Sequence, residues 1–161
     1  MSSSRENISR REKFQYILIF EGISVGFLVG LIVSLFRYAF IEAEKMRGIM
    51  VAAASQKITI GLLSVGLLAF MLVTAAAITK REPISGGSGI PQVEAELKGK
   101  LNARWFQVIL GKFIGGILTV AGGLSLGSEG PSVQLGAMTG KGFSRLHQRL
   151  KTEEKLLLTC G

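Results

Sequence analysis

Three apolar segments, each long enough to cross a lipid bilayer, constrain the fold of this chain more than any other feature. They are Ile17–Phe36, Ile58–Ile78 and Trp105–Leu126, with 20, 21 and 22 residues, and they contain only two charged side chains, Glu21 and Lys112. An α-helix rises about 1.5 Å per residue, so each run reaches roughly 30 Å, the hydrocarbon thickness of a bilayer. Three such runs in 161 residues predict an all-α integral membrane protein.

The composition agrees with a membrane protein and excludes several other classes. Charged residues make up 19% of the chain, whereas soluble domains have about 25%. The net charge of +8 comes from basic residues that lie between the apolar runs rather than on one basic stripe, so nucleic-acid binding is excluded. One cysteine, Cys160, and one histidine, His147, are too few for a disulfide, a metal centre or a catalytic triad. We therefore expect no metal, no cofactor and no enzymatic activity.

The N-terminus is expected to lie in the cytoplasm. Residues 1–13 carry four basic and two acidic side chains, and basic flanks stay on the cytoplasmic side of a membrane. A cleaved signal peptide is the competing interpretation, but the apolar stretch is too long and residues 37–42 offer no small-residue cleavage site. We therefore expect a basic tail, residues 1–13, followed by a retained first span, Phe14–Phe40.

Small residues recur every four positions along this first span. Gly22, Gly26, Gly30 and Ser34 form one stripe that lets another helix approach closely. Glu21 stands at the start of the stripe, near the cytoplasmic end, and we expect an interfacial carboxylate whose head group reaches water rather than a proton-relay residue.

The rest of the chain alternates full spans with two short helices. In order, we expect a mixed-charge loop (42–57), a second span (Ile58–Ile78), a turn (83–91), a half-span helix (Gln92–Leu101), a third span (Trp105–Leu126), a second half-helix (Ser132–Gly140) and a basic segment (Lys141–Lys155).

Each short helix has a glycine-rich approach and a proline at its start, Pro91 or Pro131. Proline is tolerated there because its missing N–H has no helical partner. The glycines leave backbone N–H groups uncovered where the helix dipole is positive. Irregular backbone survives at membrane depth only when it is buried in protein or lines a watery cavity, and paired interrupted helices mark transporter sites. These features predict an anion-binding site between two half-helices.

Simpler interpretations remain open for each feature. Residues 87–91 are also compatible with an ordinary surface turn. Glu129 is either a first-turn acid that stabilises the helix dipole or a functional ionisable group, as intramembrane acids often are. For Lys112, the simpler interpretation is a lysine paired with backbone carbonyls inside the bundle.

Two motifs resemble those of the CLC family of chloride channels and proton-coupled chloride antiporters. They are Gly87-Ser88-Gly89-Ile90-Pro91 and Gly127-Ser128-Glu129-Gly130-Pro131. A glycine-rich span separates them, as in that family, and the resemblance runs from the first span to the C-terminus. It implies the first half of a CLC-type inverted-repeat fold, within 14–161, and predicts that the chain is an N-terminal portion of a longer protomer.

The resemblance also implies roles for individual residues. The hydroxyl of Ser88 and backbone amides at Gly89, Ile90 and Gly130 correspond to anion ligands, and Glu129 corresponds to the gate that also transfers protons. Ser128 departs from the family, which usually has a basic residue there, and its presence removes a cation beside the gate.

The implied function is chloride transport across the cell membrane, as part of a channel or an H+/Cl− antiporter. The implied partners are chloride, protons in the antiporter case, the lipid bilayer and a second copy of the full-length protein. The alternative is a non-transporting half-domain that serves assembly or scaffolding. A membrane enzyme that binds phosphate at the helix ends is less favoured, because no catalytic base or metal site accompanies them.

Overall fold

The computed structural model describes residues 2–161 except 56, 126 and 147–150, and describes side chains from residue 20 onward except 151–153. Among these residues most of the chain is helical and none forms a strand, which confirms the all-α prediction. The elements are α1 (Ser2–Ala54), α2 (Ile58–Arg81), a 3-10 turn (Pro83–Ser85), α3 (Ile90–Leu97), α4 (Trp105–Ala121), α5 (Glu129–Leu146) and α6 (Lys151–Cys160). His147 and Leu126, the predicted end of the third span, lie outside the described residues.

Helix α1 is longer than the sequence predicts. We expected a loop from residue 42, but the helix continues through that segment to Ala54. Lys45 bonds Glu42 at 2.8 Å and Arg47 lies 3.5 Å from Glu44, each pair one helical turn apart. These i,i+3 pairs and the strong helix formers around them favour helix over loop.

Helices α1 and α2 expose apolar side chains along most of their length. Phe27 is 73% exposed, Leu63 75% and Ile58 84%. Both helices are long and apolar enough to cross a membrane. Apolar surface this extensive is stable when lipid covers it, so these two helices fit an integral membrane protein.

The predicted third span and second half-helix differ in length from the helices observed. Helix α4 ends at Ala121 because Gly122 and Gly123 follow, the latter at φ 102°. Helix α5 was expected over Ser132–Gly140 but has 18 residues and starts at Glu129, since Pro131 falls within its first turn. Helix α3 was expected over Gln92–Leu101 but spans Ile90–Leu97, with Pro91 in its first turn.

Helix α5 forms the centre of the bundle, where it packs against α1, α3, α4 and α6. Its Met138 is fully buried beside Ala103 and Val108. On its other side, Ala137 packs with Val93 of α3 and Leu158 of α6. The long helices thus hold α3 and α5 side by side.

The stripe of small residues on α1 is covered at one end only. A Cβ on Gly22 would lie 4.0 Å from Cys160 Sγ of α6, whereas Gly26 and Gly30 have no described atom within 4 Å of the Cβ position. Glu21, at the covered end, is only 8% exposed. The prediction that its carboxylate reaches water is therefore wrong, because α1 packs this side of the helix into the bundle.

Candidate anion-binding site

The two glycine-rich motifs, about 40 residues apart in the sequence, touch in the structure. A Cβ on Gly130 would overlap the backbone carbonyl oxygen of Ser88 and lie 3.2 Å from the Ser88 Cβ. A Cβ on Gly89 would lie 2.7 Å from the Cβ of Gln134 on α5. Glycine is thus required at both positions by close packing, and the contact brings the starts of α3 and α5 together.

Helix α3 begins at a turn that only glycine adopts readily. Gly89, with φ 92°, precedes the first helical residue, and no side chain caps the helix. The N–H of Val93 bonds to the Gly89 carbonyl at 3.1 Å. The earlier amides, those of Ile90 and Gln92, have no intrahelical partner, because the first turn of any helix leaves them free. Beside them the side chain of Ser88 is exposed.

Helix α5 begins with the carboxylate that the sequence singled out. Glu129 is its first residue and its side chain is exposed. Pro131 contributes no N–H, so the free amides of this turn are those of Glu129 and Gly130. Ser132 donates its hydroxyl to the Ser128 carbonyl at 2.6 Å, which fixes the approach to the helix.

Lys112 bonds backbone carbonyls in the loop that carries the first motif, as the simpler interpretation of this residue predicted. Its side chain is 3% exposed, and Nζ donates to the carbonyl oxygens of Ser85 at 3.1 Å and Gly87 at 2.6 Å. The lysine thereby satisfies carbonyls of the loop. One of these carbonyls belongs to Gly87, the residue before Ser88. The buried positive charge of Lys112 therefore favours an anion near Ser88.

Two glutamines that were not predicted as site residues bond the backbone of the same loop. Gln92 Nε2 donates to the Gly86 carbonyl at 3.0 Å, and Gln134 Nε2 donates to the Ile84 carbonyl at 2.7 Å. The Oε1 atoms of both side chains are buried without a partner among the described residues. Their signal in the sequence was an amide side chain one to three residues after the proline of each motif.

A buried ion pair joins the far ends of α3 and α5. Lys141 is 0% exposed and Glu96 7%, and Lys141 Nζ contacts Glu96 Oε1. The same ammonium donates to the Ala103 carbonyl at 2.8 Å and to Asn102 Oδ1 at 3.2 Å, and Glu96 Oε2 accepts the Ala103 N–H at 2.8 Å. Lys141, the first residue of the expected basic segment, is therefore buried in the bundle. The long aliphatic stem of lysine and three acceptors allow its burial.

The structure therefore gathers the predicted site residues at one place. Ser88, Gly89 and Ile90 lie at the start of α3, while Glu129 and Gly130 lie at the start of α5, in contact through Ser88 and Gly130. The free amides of two helix starts and the buried Lys112 ammonium make this region electropositive and suited to a small anion.

Replacing Gly130 with alanine should destabilise the chain by about 1–3 kcal/mol, the usual cost of overpacking. The new methyl group would overlap the rigid backbone carbonyl of Ser88. Thermal unfolding in detergent, followed by circular dichroism, measures the loss. Gly127→Ala is the matched control, since no described atom lies within 4 Å of its Cβ position. Equal losses in the two variants would contradict the close contact.

Known proteins match both the sequence and the fold. The H(+)/Cl(−) exchange transporter ClcA of Salmonella schwarzengrund (strain CVM19633) is 35% identical over 136 residues, which cover 83% of this chain and 29% of that protein. ClcA of Salmonella agona (strain SL483) gives the same values. The crystal structure of a slow cyanobacterial Cl−/H+ antiporter superposes with a TM-score of 0.80 at 27% identity, covering 88% of this chain and 34% of the antiporter chain.

The match to a family profile covers more than half of the chain and includes both motifs. The profile described as voltage gated chloride channel matches residues 70–161. The chain spans about 29% of the length of the curated relatives it matches. Members of this family are membrane transporters rather than enzymes. The chain belongs to the voltage-gated chloride channel (CLC) family.

Proposed function

We propose that this chain supplies part of the anion pathway of a CLC-type chloride transporter. The observation that carries the proposal is the contact between Gly130 and Ser88, which brings two helix starts with free amides to one point. Amides at the positive end of a helix dipole bind anions without a full positive charge, so chloride is held and also released. The relatives are H+/Cl− exchangers, which favours an exchanger over a channel.

In this proposal Ser88 and the amides of Gly89, Ile90 and Gly130 are chloride ligands, and Glu129 is the gate. The deprotonated carboxylate of Glu129 occupies the anion position at the helix starts. Chloride competes for that position, and protonation neutralises the carboxylate so that it swings away. The exposed position of Glu129 at the first residue of α5 leaves room for this movement. Lys112 holds the loop carbonyls away from the anion.

The proposed setting is the cell membrane, with residues 1–13 in the cytoplasm and the helices of 14–161 in the bilayer. Chloride and protons are the proposed transported ions, and a homodimer is the proposed state of the full-length protein. We also propose that α3 is a re-entrant half-helix, because its eight residues are too few to cross the membrane.

Chloride flux in liposomes tests the proposed function. The segment of Salmonella schwarzengrund ClcA that matches this chain over 136 residues is replaced by this chain's sequence to give a chimeric transporter, and the chain alone is reconstituted in parallel. We expect the chimeric transporter to move chloride against its gradient when a proton gradient is imposed. We expect none from the chain alone, which spans about 29% of that transporter's length. A chimera that inserts and folds but moves no chloride would favour the assembly or scaffold alternative.

Removing the Ser88 hydroxyl should weaken chloride binding about 10- to 150-fold, because a hydrogen bond to a charged group contributes roughly 1.5–3 kcal/mol. Isothermal titration of chloride into the Ser88→Ala chimeric transporter measures this change. Ser24→Ala is the matched control, since its hydroxyl donates to the Phe20 carbonyl within α1 at 2.9 Å, away from the two motifs. Unchanged affinity and anion preference in Ser88→Ala would remove Ser88 from the pathway.

A further inference from the structure

A groove separate from the helix starts lies between the end of α2 and the first half of α4. Its volume is about 480 Å³. Its lining divides into a polar end and an apolar end along the helix direction. The polar end is formed by Arg81, Glu82, Arg104 and Gln107, and the apolar end by Ile78, Leu110, Gly111 and Ile114.

The polar end of the groove carries two guanidinium groups and one carboxylate. Arg81 is exposed and, within the described part of the chain, makes no hydrogen bond or ion pair. Arg104 is also exposed, and among the described residues its guanidinium makes one long contact, from Nη1 to Gln107 Oε1 at 3.4 Å. The two guanidinium groups therefore retain donors for a ligand. A planar guanidinium suits the oxygens of a phosphate group.

The start of α4 adds to the attraction for a negative group. Arg104 is the residue before the helix, and no side chain that the structure describes caps the free amides of the first turn. The positive end of the helix dipole therefore faces the same end of the groove as the two arginines. The positive charges of the two arginines and the helix dipole together exceed the negative charge of the Glu82 carboxylate in the lining.

The apolar end runs along two helices of a membrane protein. Leu110 is 50% exposed and Ile114 41%. Ten residues separate Arg104 from Ile114, which corresponds to about 15 Å along a helix. A ligand that fits this groove has a negative head group and an extended hydrocarbon tail.

We propose that this groove binds one anionic phospholipid. Its phosphate lies between Arg81 and Arg104, and one acyl chain follows Ile78, Leu110 and Ile114. Basic pockets between transmembrane helices are typical sites for anionic lipid head groups. The lipid belongs to the leaflet on the side of the membrane where Lys80 and Arg81 end α2. The proposal depends on the membrane location of the chain and not on chloride transport.

Native mass spectrometry of the purified chain in detergent tests the proposal. Phosphatidylglycerol and phosphatidylcholine are added separately, and the retained lipid is counted. We expect one phosphatidylglycerol to be retained in preference to phosphatidylcholine, and Arg81→Gln/Arg104→Gln to lower that retention about 10- to 30-fold. The matched control is Lys80→Gln/Lys100→Gln, which removes the same charge from exposed residues outside the groove. It should retain phosphatidylglycerol as the wild type does.

Three outcomes overturn the proposal. They are equal retention of the two lipids by the wild type, equal loss in the arginine and lysine pairs, and displacement of phosphatidylglycerol by inorganic phosphate, which would indicate a free-anion site. If circular dichroism shows that the arginine variant is unfolded, Leu110→Trp provides the decisive measurement. Its indole fills the apolar end without changing the charge, so it should abolish retention, and undiminished retention would contradict the proposal.

Discussion

Replacing Lys141 with methionine should destabilise the chain by about 3–5 kcal/mol, because the change leaves a buried carboxylate without its counter-ion. Lys141 is 0% exposed, and its ammonium contacts Glu96 and donates to the Ala103 carbonyl at 2.8 Å. Methionine fills a similar volume, so lost packing contributes little. Unfolding by increasing fractions of sodium dodecyl sulfate in mixed micelles, followed by circular dichroism, measures the change in free energy.

Two further variants separate the ion pair from its surroundings. Glu96→Leu combined with Lys141→Met removes both charges and should recover most of the stability, since an apolar replacement of a buried pair is often neutral. Lys98→Met breaks the pair with Glu94, in which both side chains are about 60% exposed, and should cost roughly 0.5 kcal/mol or less. Equal losses in Lys141→Met and Lys98→Met would show that burial of the Lys141 pair carries no special energy.

The sequence predicted helix boundaries most accurately where an apolar run meets charged residues. Helix α2 starts at Ile58 and α4 at Trp105, as expected, because hydropathy changes abruptly at both places. Helix α1 was predicted too short because charged residues after Phe40 were interpreted as a loop. Charge alone does not end a helix when the residues are good helix formers paired one turn apart.

The two helix starts of the candidate site could be predicted from the sequence, but the tertiary contacts that hold them together could not. The glycines and prolines of each motif are local signals, whereas the contact of Gly130 with Ser88 depends on tertiary packing. The Lys141 pair joins residues 45 positions apart. No periodicity reports such a contact, and a lysine beside other basic residues suggests a solvated surface. Helix α5 was predicted too short for the same reason, because its extension beyond Gly140 depends on tertiary contacts such as the Lys141 pair.

Replacing Glu129 with glutamine in the chimeric transporter should preserve chloride movement while abolishing its dependence on pH and its coupling to protons. Glutamine has nearly the shape of a protonated glutamate and remains neutral at every pH, so it no longer competes with chloride for the helix starts. Glu129 is the first residue of α5 and is exposed, so the change removes no packing. Chloride flux in liposomes between pH 4 and pH 8, with and without a proton gradient, measures both properties.

A first-turn acid that only stabilises α5 leads to a different result. Loss of its favourable interaction with the helix dipole would lower stability by about 0.3–1 kcal/mol and leave the pH profile of transport unchanged. Glu94→Gln is the matched control, because Glu94 is an exposed carboxylate on α3 whose partner is Lys98. It should transport with the pH dependence and coupling of the unsubstituted chimera. If Glu129→Gln also keeps that pH dependence, Glu129 is a helix-stabilising acid and the gate lies elsewhere.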